Sequence, residues 1–241
     1  LRNLSIASGA LTLTGDASLM PEDLRLDISL ALALQVGDLA RFGPAAGLPL
    51  DGSARLRLEG TAEPLSGAFD LTLDGQATDL RLSDALPDGL FAGETALRVA
   101  ATRDETGLTL RRLDFDSAAI TLEGDGQVTS ETSRLDFAGT LADASLFTDA
   151  LSGPVRGTER LARRGDLPWQ IDADLTGPVG MSARLSGGVG LPGGAVDVRV
   201  TGQVPMALAD RFIAPRSIRG DLSFDLTLDG PPDLSSLSGR I

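Results

Sequence analysis

The stretch Leu24-Arg-Leu-Asp-Ile-Ser-Leu-Ala-Leu-Ala-Leu-Gln-Val36 places an apolar residue at every second position: Leu24, Leu26, Ile28, Leu30, Leu32, Leu34 and Val36. Arg25, Asp27, Ser29, Ala31, Ala33 and Gln35 fill the alternate positions. A period of two is that of a β-strand, whose successive side chains point to opposite faces of a sheet. At about 3.3 Å per residue the run would span roughly 40 Å, about twice an ordinary strand. The same alternation recurs at Leu56/Leu58, Phe69/Leu71/Leu73, Leu97/Val99, Leu108/Leu110, Ile120/Leu122 and Leu135/Phe137. It continues at Ile171/Ala173/Leu175, Met181/Ala183/Leu185, Val196/Val198/Val200 and Leu222/Phe224/Leu226/Leu228. The pattern predicts an all-β chain built on a long, mainly antiparallel sheet, read here as one elongated segment over 1–241.

A degenerate repeat, apolar-x-apolar-x-Gly, lies on these strands, as in Leu56-Arg-Leu-Glu-Gly60, Ile120-Thr-Leu-Glu-Gly124, Ala183-Arg-Leu-Ser-Gly187 and Val198-Arg-Val-Thr-Gly202. The heptapeptide Phe-Asp-Leu-Thr-Leu-Asp-Gly occurs twice, at 69–75 and 224–230. Such a repeat suggests a meander in which Gly supplies the dihedrals that end each strand. Parity flips between Leu110 and Leu113, so a bulge or break is expected at Arg111-Arg112. Helical signals are short and confined to Val36–Gly43, Ala142–Leu151 and Pro205–Ile213. Gly153–Pro168, with Arg156, Arg160, Arg163 and Arg164, interrupts the alternation and reads as a loop or a repeat boundary.

The missing residue types exclude much chemistry. With no His, Cys, Lys or Tyr among 241 residues, imidazole bases, thiol nucleophiles, disulfides, amine catalysis and His or Cys metal sites are all removed. Most carboxylates occupy the polar parity of strands, as Asp70 and Asp74 do, and a hydrolase built on a carboxylate pair finds no support. Glu123-Gly-Asp-Gly126 looks superficially like a calcium turn but lacks the tandem repeats such a site needs, so a plain turn is expected there. No cofactor, metal or catalytic residue is expected, and an enzyme is not. The net charge of −13, with Arg spread thinly among carboxylates, also argues against a nucleic-acid partner. No run of 18 apolar residues and no leader-like start is present, so any anchor is expected outside these residues, and the chain reads as a fragment. Trp169, the single Trp, is expected to pack in a core rather than stack on a ligand. The arginines at 156–164 are expected in solvent, with phosphate headgroups as the functional alternative.

A sheet with one apolar face must cover it with a second layer, with lipid, or by closing on itself. Helices are too few for a roof, and eight Phe, one Trp and no Tyr supply no aromatic girdles for a membrane barrel. The residues alone leave open a dry packed core, the commoner arrangement, and a groove of Leu and Val lined for aliphatic ligand.

Two segments carry a resemblance. Asp51-Gly-Ser-Ala-Arg-Leu-Arg-Leu-Glu-Gly60 is followed by Pro64-Leu-Ser-Gly67, and Ile218-Arg-Gly-Asp-Leu-Ser-Phe-Asp-Leu-Thr-Leu-Asp-Gly230 by Pro231-Pro-Asp-Leu-Ser-Ser-Leu-Ser-Gly239. Together with Met206–Arg216 they resemble the repeat grammar of the TamB family of AsmA-like proteins, patchily over the chain and most clearly in the last 40 or so residues. The family's N-terminal anchor and C-terminal domain are not matched, and it has no catalytic motif to carry over. The resemblance implies a curved, U-shaped β-gutter (the β-taco) in the periplasm, tied to the inner membrane and meeting an outer-membrane barrel protein. It implies a bridge that moves phospholipid along its apolar interior and supports outer-membrane protein assembly. The expected acyl-chain lining is Leu24, Leu26, Ile28, Leu30, Leu32, Leu34, Leu56, Leu58, Phe69, Leu71, Leu73, Leu97, Val99, Leu135, Phe137, Val196, Val198, Val200, Leu222, Phe224, Leu226 and Leu228. The alternative is a structural or adhesive β-solenoid or sandwich with a dry core and no ligand.

Overall fold

The structure is a computed structural model, and it describes residues 4–8, 11–20, 25–83, 86–147, 151–190, 196–206, 218–230 and 236–240. Strand accounts for 69% and helix for 9%, so the all-β expectation is met, with pairing antiparallel throughout the registers below. The chain divides into two compact units, Leu1–Thr129 and Ser130–Ile241.

The first unit is a meander of eight strands in chain order: β1 (Leu4–Ser8), β2 (Leu11–Met20), β3 (Arg25–Val36), β4 (Asp51–Glu63), β5 (Ala68–Arg81), β6 (Glu94–Arg103), β7 (Gly107–Ser117) and β8 (Ile120–Thr129). The second follows the same plan with seven: β9 (Thr132–Leu141), β10 (Val155–Arg164), β11 (Trp169–Thr176), β12 (Ser182–Val189), β13 (Val196–Pro205), β14 (Asp221–Gly230) and β15 (Leu237–Arg240). The alternating run from Arg25 to Val36 is strand β3, 12 residues long. Leu24 lies outside the described residues.

Several expectations are corrected. The Arg-bearing segment read as a loop is strand β10, hydrogen-bonded to β9 on one side and β11 on the other. Glu123–Gly126 lies within β8, not in a turn. Of the repeat glycines, Gly230 ends its strand as expected, but Gly60, Gly75, Gly124, Gly187 and Gly202 lie inside theirs. Gly60 shows why the residue is needed. Its φ is +146°, and a Cβ there would collide with the backbone carbonyl of Asp70 on the neighbouring strand. Gly187 meets the Asp197 carbonyl in the same way at φ +151°. The glycine thus allows close approach of two backbones in the middle of a strand pair.

The expected irregularity at Arg111-Arg112 is present. Against β6, Ala100 faces Arg112 while Ala101 faces Leu110, so Arg111 is the extra residue. Against β8, Leu110 faces Gly126 and Leu113 faces Gly124. The bulge absorbs one residue, which brings Leu108, Leu110, Leu113 and Phe115 to one face despite their broken spacing.

Beyond the expected segments, helical turns also form at Gly43–Ala46, Asp88–Phe91 and Pro178–Gly180; within the expected segments lie Leu39–Phe42 in the first and Ala144–Leu146 in the second. Asp143 caps the latter through the Ser145 amide and also accepts from the Gly153 amide, both at 2.9 Å. The third signal falls almost wholly outside the described residues.

Within each unit the strands pack on their sequence neighbours, with helical turns against β4, β5 and β13. A conventional core is absent among the described residues: no large side chain is fully buried, and the buried apolar residues are Val36, Leu90, Ala119, Ala144, Ala173 and Val198. The accessible surface is 15615 Å².

Candidate functional surface

Register converts the strand pattern into rows that run across the strands. In the first unit one row is Leu11, Leu34, Leu56, Gly75, Leu97, Phe115 and Leu122. The next is Ile6, Leu13, Leu32, Leu58, Leu73, Val99, Leu113 and Gly124. A third joins Leu4, Gly15, Leu30, Gly60, Leu71, Ala101, Leu110 and Gly126, and a fourth includes Ala17, Ile28, Ala62 and Phe69. Four rows two residues apart make the band about 20 Å deep.

The second unit repeats the arrangement. Leu135, Leu161, Ile171, Gly187, Val198, Leu228 and Leu237 form one row. Phe137, Glu159, Ala173, Leu185, Val200, Leu226 and Gly239 form the next, and Gly139, Gly157, Leu175, Ala183, Gly202 and Phe224 the third. Trp169, Val189 and Val196 belong to a fourth.

Every expected lining residue inside the described strands therefore shares a face with the others of its own unit. Leu26 and Leu30 join theirs by register in β3. Ile28, Leu32, Leu34, Leu56, Leu58, Phe69, Leu71, Leu73, Leu97 and Val99 are half-buried, as are Leu135, Phe137, Val196, Val200, Phe224, Leu226 and Leu228. Val198 is buried at 7% exposure and Leu222 is exposed at 40%. Half-burial follows from mutual packing, in which neighbouring leucines shield one another's flanks; at one end of the first unit the turn Asp88–Phe91 also sets Phe91 edge-on against Phe115, with ring centroids 5.8 Å apart.

The opposite parity is a lattice of charge. Asp136 accepts from Arg134 at 2.6 Å and from Arg160, its cross-strand neighbour, at 2.8 Å. The Arg134 hydrogen bond, helped by Arg160, holds its carboxyl below the usual aspartate value against a smaller opposing effect of burial. Arg199 donates to Asp225 at 2.7 Å, lowering that carboxyl and raising its own guanidinium. Arg111 pairs with Asp70 and Arg112 with Asp114 around the bulge. A cavity of about 690 Å³ in the first unit also belongs mainly to this parity, lined by Gln35, Arg55, Arg57, Asp74, Gln76 and Arg98. Arg98 stands 3.6 Å from Asp74, and Arg57 3.6 Å from Glu59. Concavity and apolar lining thus do not coincide there.

Glu159 carries no signal in the sequence, and Arg163, expected in a solvated segment with phosphate headgroups as its alternative, lies instead on a strand. With β10 a strand, its apolar parity is Val155, Gly157, Glu159, Leu161 and Arg163. Glu159 and Arg163 are the only charged residues on the apolar parity of the second unit's described strands. The guanidinium of Arg163 lies over the Trp169 ring, 5.1 Å from its centroid, and its Nε is buried without a hydrogen-bond partner. Trp169 is half-buried on that same face rather than enclosed in a core. The signal that could have found the strand was the phase of Val155, Gly157 and Leu161.

Compared with known proteins, the chain matches no family model, no curated protein and no solved structure. Among the described residues no helix is long and apolar enough to cross a membrane, and no cluster of acidic side chains could hold a metal ion.

Proposed function

We propose that the apolar faces carry phospholipid acyl chains, and that the chain is a segment of a periplasmic, bridge-like lipid conduit of the TamB type. The observation that carries the reading is the in-register apolar band, half-buried along most of its rows and backed by a face of paired charges. Its depth of about 20 Å exceeds the roughly 15 Å of one leaflet's hydrocarbon, so an extended tail fits across it. Each buried methylene contributes about 0.8 kcal/mol, which draws a tail from water. Successive rows of Leu and Val are chemically alike, which leaves little free-energy difference between one stretch and the next. Transport along such a path needs no covalent chemistry. The outer-membrane partner and the inner-membrane anchor belong to the resemblance and would lie outside these residues.

A photo-crosslinking amino acid placed at Leu32 or Leu58 should capture phospholipid in cells, and one at Ala33 or Arg57 should not. Equal capture from both parities would sink the conduit. Failure to capture lipid at any position, with the Leu32 and Leu58 sites shown to be solvent-excluded, would favour the dry core.

A further inference from the structure

We propose that Glu159 and Arg163 form a station for a zwitterionic headgroup on the apolar face of the second unit, Arg163 taking the phosphate and Glu159 the ammonium. The inference rests on the conduit reading, which supplies the acyl chains, and adds to it the class of headgroup.

Charge on an apolar face is unfavourable unless it is compensated. Elsewhere on this parity the second unit's strands avoid it, yet β10 carries one charge of each sign, with Leu161 between them. Neither makes an ion pair or a side-chain hydrogen bond among the described residues, whereas Arg160 and Arg199 of the opposite parity are each paired with a carboxylate. Four residues along a strand separate their Cα atoms by about 13 Å, too far for direct pairing without leaning both side chains inward. A ligand bearing both signs bridges that gap.

The chemistry of each end is specific. A guanidinium offers a planar fork suited to phosphate oxygens. Here its Nε is buried and lacks an acceptor, so the charge is left uncompensated within the protein, while the Trp169 ring, 5.1 Å from the guanidinium carbon, holds the cation in place on the face. A carboxylate at Glu159 attracts an ammonium and repels a headgroup that is only anionic. Phe137 and Ala173 flank Glu159 in its row, and Ala173 is buried, so tails attached to the ligand continue over apolar neighbours.

Trp169 is the single Trp of the chain and reports on the station by its own fluorescence. The full chain should be titrated with short-chain phosphatidylethanolamine, short-chain phosphatidylglycerol, and soluble glycerophosphoethanolamine. Phosphatidylethanolamine should perturb Trp169 at lower concentration than phosphatidylglycerol, and the tail-less compound should bind far more weakly than either. Loss of one charge-assisted contact lowers affinity about tenfold or more. Arg163→Gln should therefore weaken both lipids by that factor, and Arg163→Lys should recover part of the loss. Glu159→Gln should weaken phosphatidylethanolamine alone and erase the preference. Lipid binding that is indifferent to headgroup and unchanged in both variants would overturn the station while leaving the conduit standing. No binding of either lipid by the unaltered chain would overturn both. Glycerophosphoethanolamine binding as tightly as the lipid would keep the charge station and remove the conduit.

Discussion

At the scale of single residues, the glycines sort by what a methyl group would strike. Gly60 is in the left-handed half of backbone space and faces the fixed carbonyl of Asp70, whereas a Cβ at Gly75 would come 3.0 Å from the mobile Cδ2 of Leu56. Gly60→Ala should thus destabilise the first unit by about 1–3 kcal/mol, the scale of backbone strain, and Gly75→Ala by clearly less; urea unfolding midpoints of the two variants measure the contrast. The charged lattice sets a second expectation. Asp136 has its pKa lowered by folding, so its contribution to stability is complete above the ordinary aspartate value of 3.8 and is lost as the pH falls through the lower folded value. Asp136→Asn should flatten the fall in thermal midpoint below about pH 4 relative to the unaltered chain, and equal slopes would show that the Arg134 and Arg160 contacts are not formed.

At the scale of elements, β7 makes the sharpest test of register. Deleting Arg111 alone removes the extra residue against both neighbours, so Leu108 and Leu110 stay on the apolar face and the unit should still fold. Deleting Arg111 and Arg112 together would turn both leucines to the charged face, and cooperative thermal unfolding of the first unit, followed by circular dichroism, should be lost or strongly weakened. Leu71 and Leu226 test the face itself. In a dry core, arginine at either position would cost several kcal/mol, enough to unfold a domain of ordinary stability. On an uncovered face its stem lies along the wall and its head reaches water, so Leu71→Arg and Leu226→Arg should keep their unfolding midpoints while lipid capture falls. These elements also show what could be read from the sequence. Strands such as β3 and β7 announce themselves because each carries its own alternation, broken only where a bulge resets it. In β10 two of five positions on the apolar parity are charged, and the strand is imposed by its hydrogen-bonded neighbours β9 and β11 rather than by its own pattern. The repeat glycines were legible as a motif but not as close-approach points, since that depends on which carbonyl lies opposite, and the division after Thr129 has no local signal at all.

At the scale of the whole molecule, no large side chain among the described residues is fully buried, and the apolar band of each unit is only half-buried along most of its rows. The native protein at neutral pH should bind the dye ANS, which reports exposed apolar surface, while still unfolding cooperatively, and phospholipid should displace the dye. Failure to bind it would mean that the bands are covered in solution. The meander has a further consequence, for the time course of assembly. Even the most widely separated partners, such as Ile28 with Ala62 or Val196 with Gly230, belong to successive strands. No strand must wait for a distant part of the chain, so contact order is low for an all-β protein and ordering can proceed hairpin by hairpin, each on a timescale of about microseconds. A chain threaded through a narrow exit at tens of residues per second or slower would acquire its structure in the order in which it emerges, and each new strand would find its template already waiting.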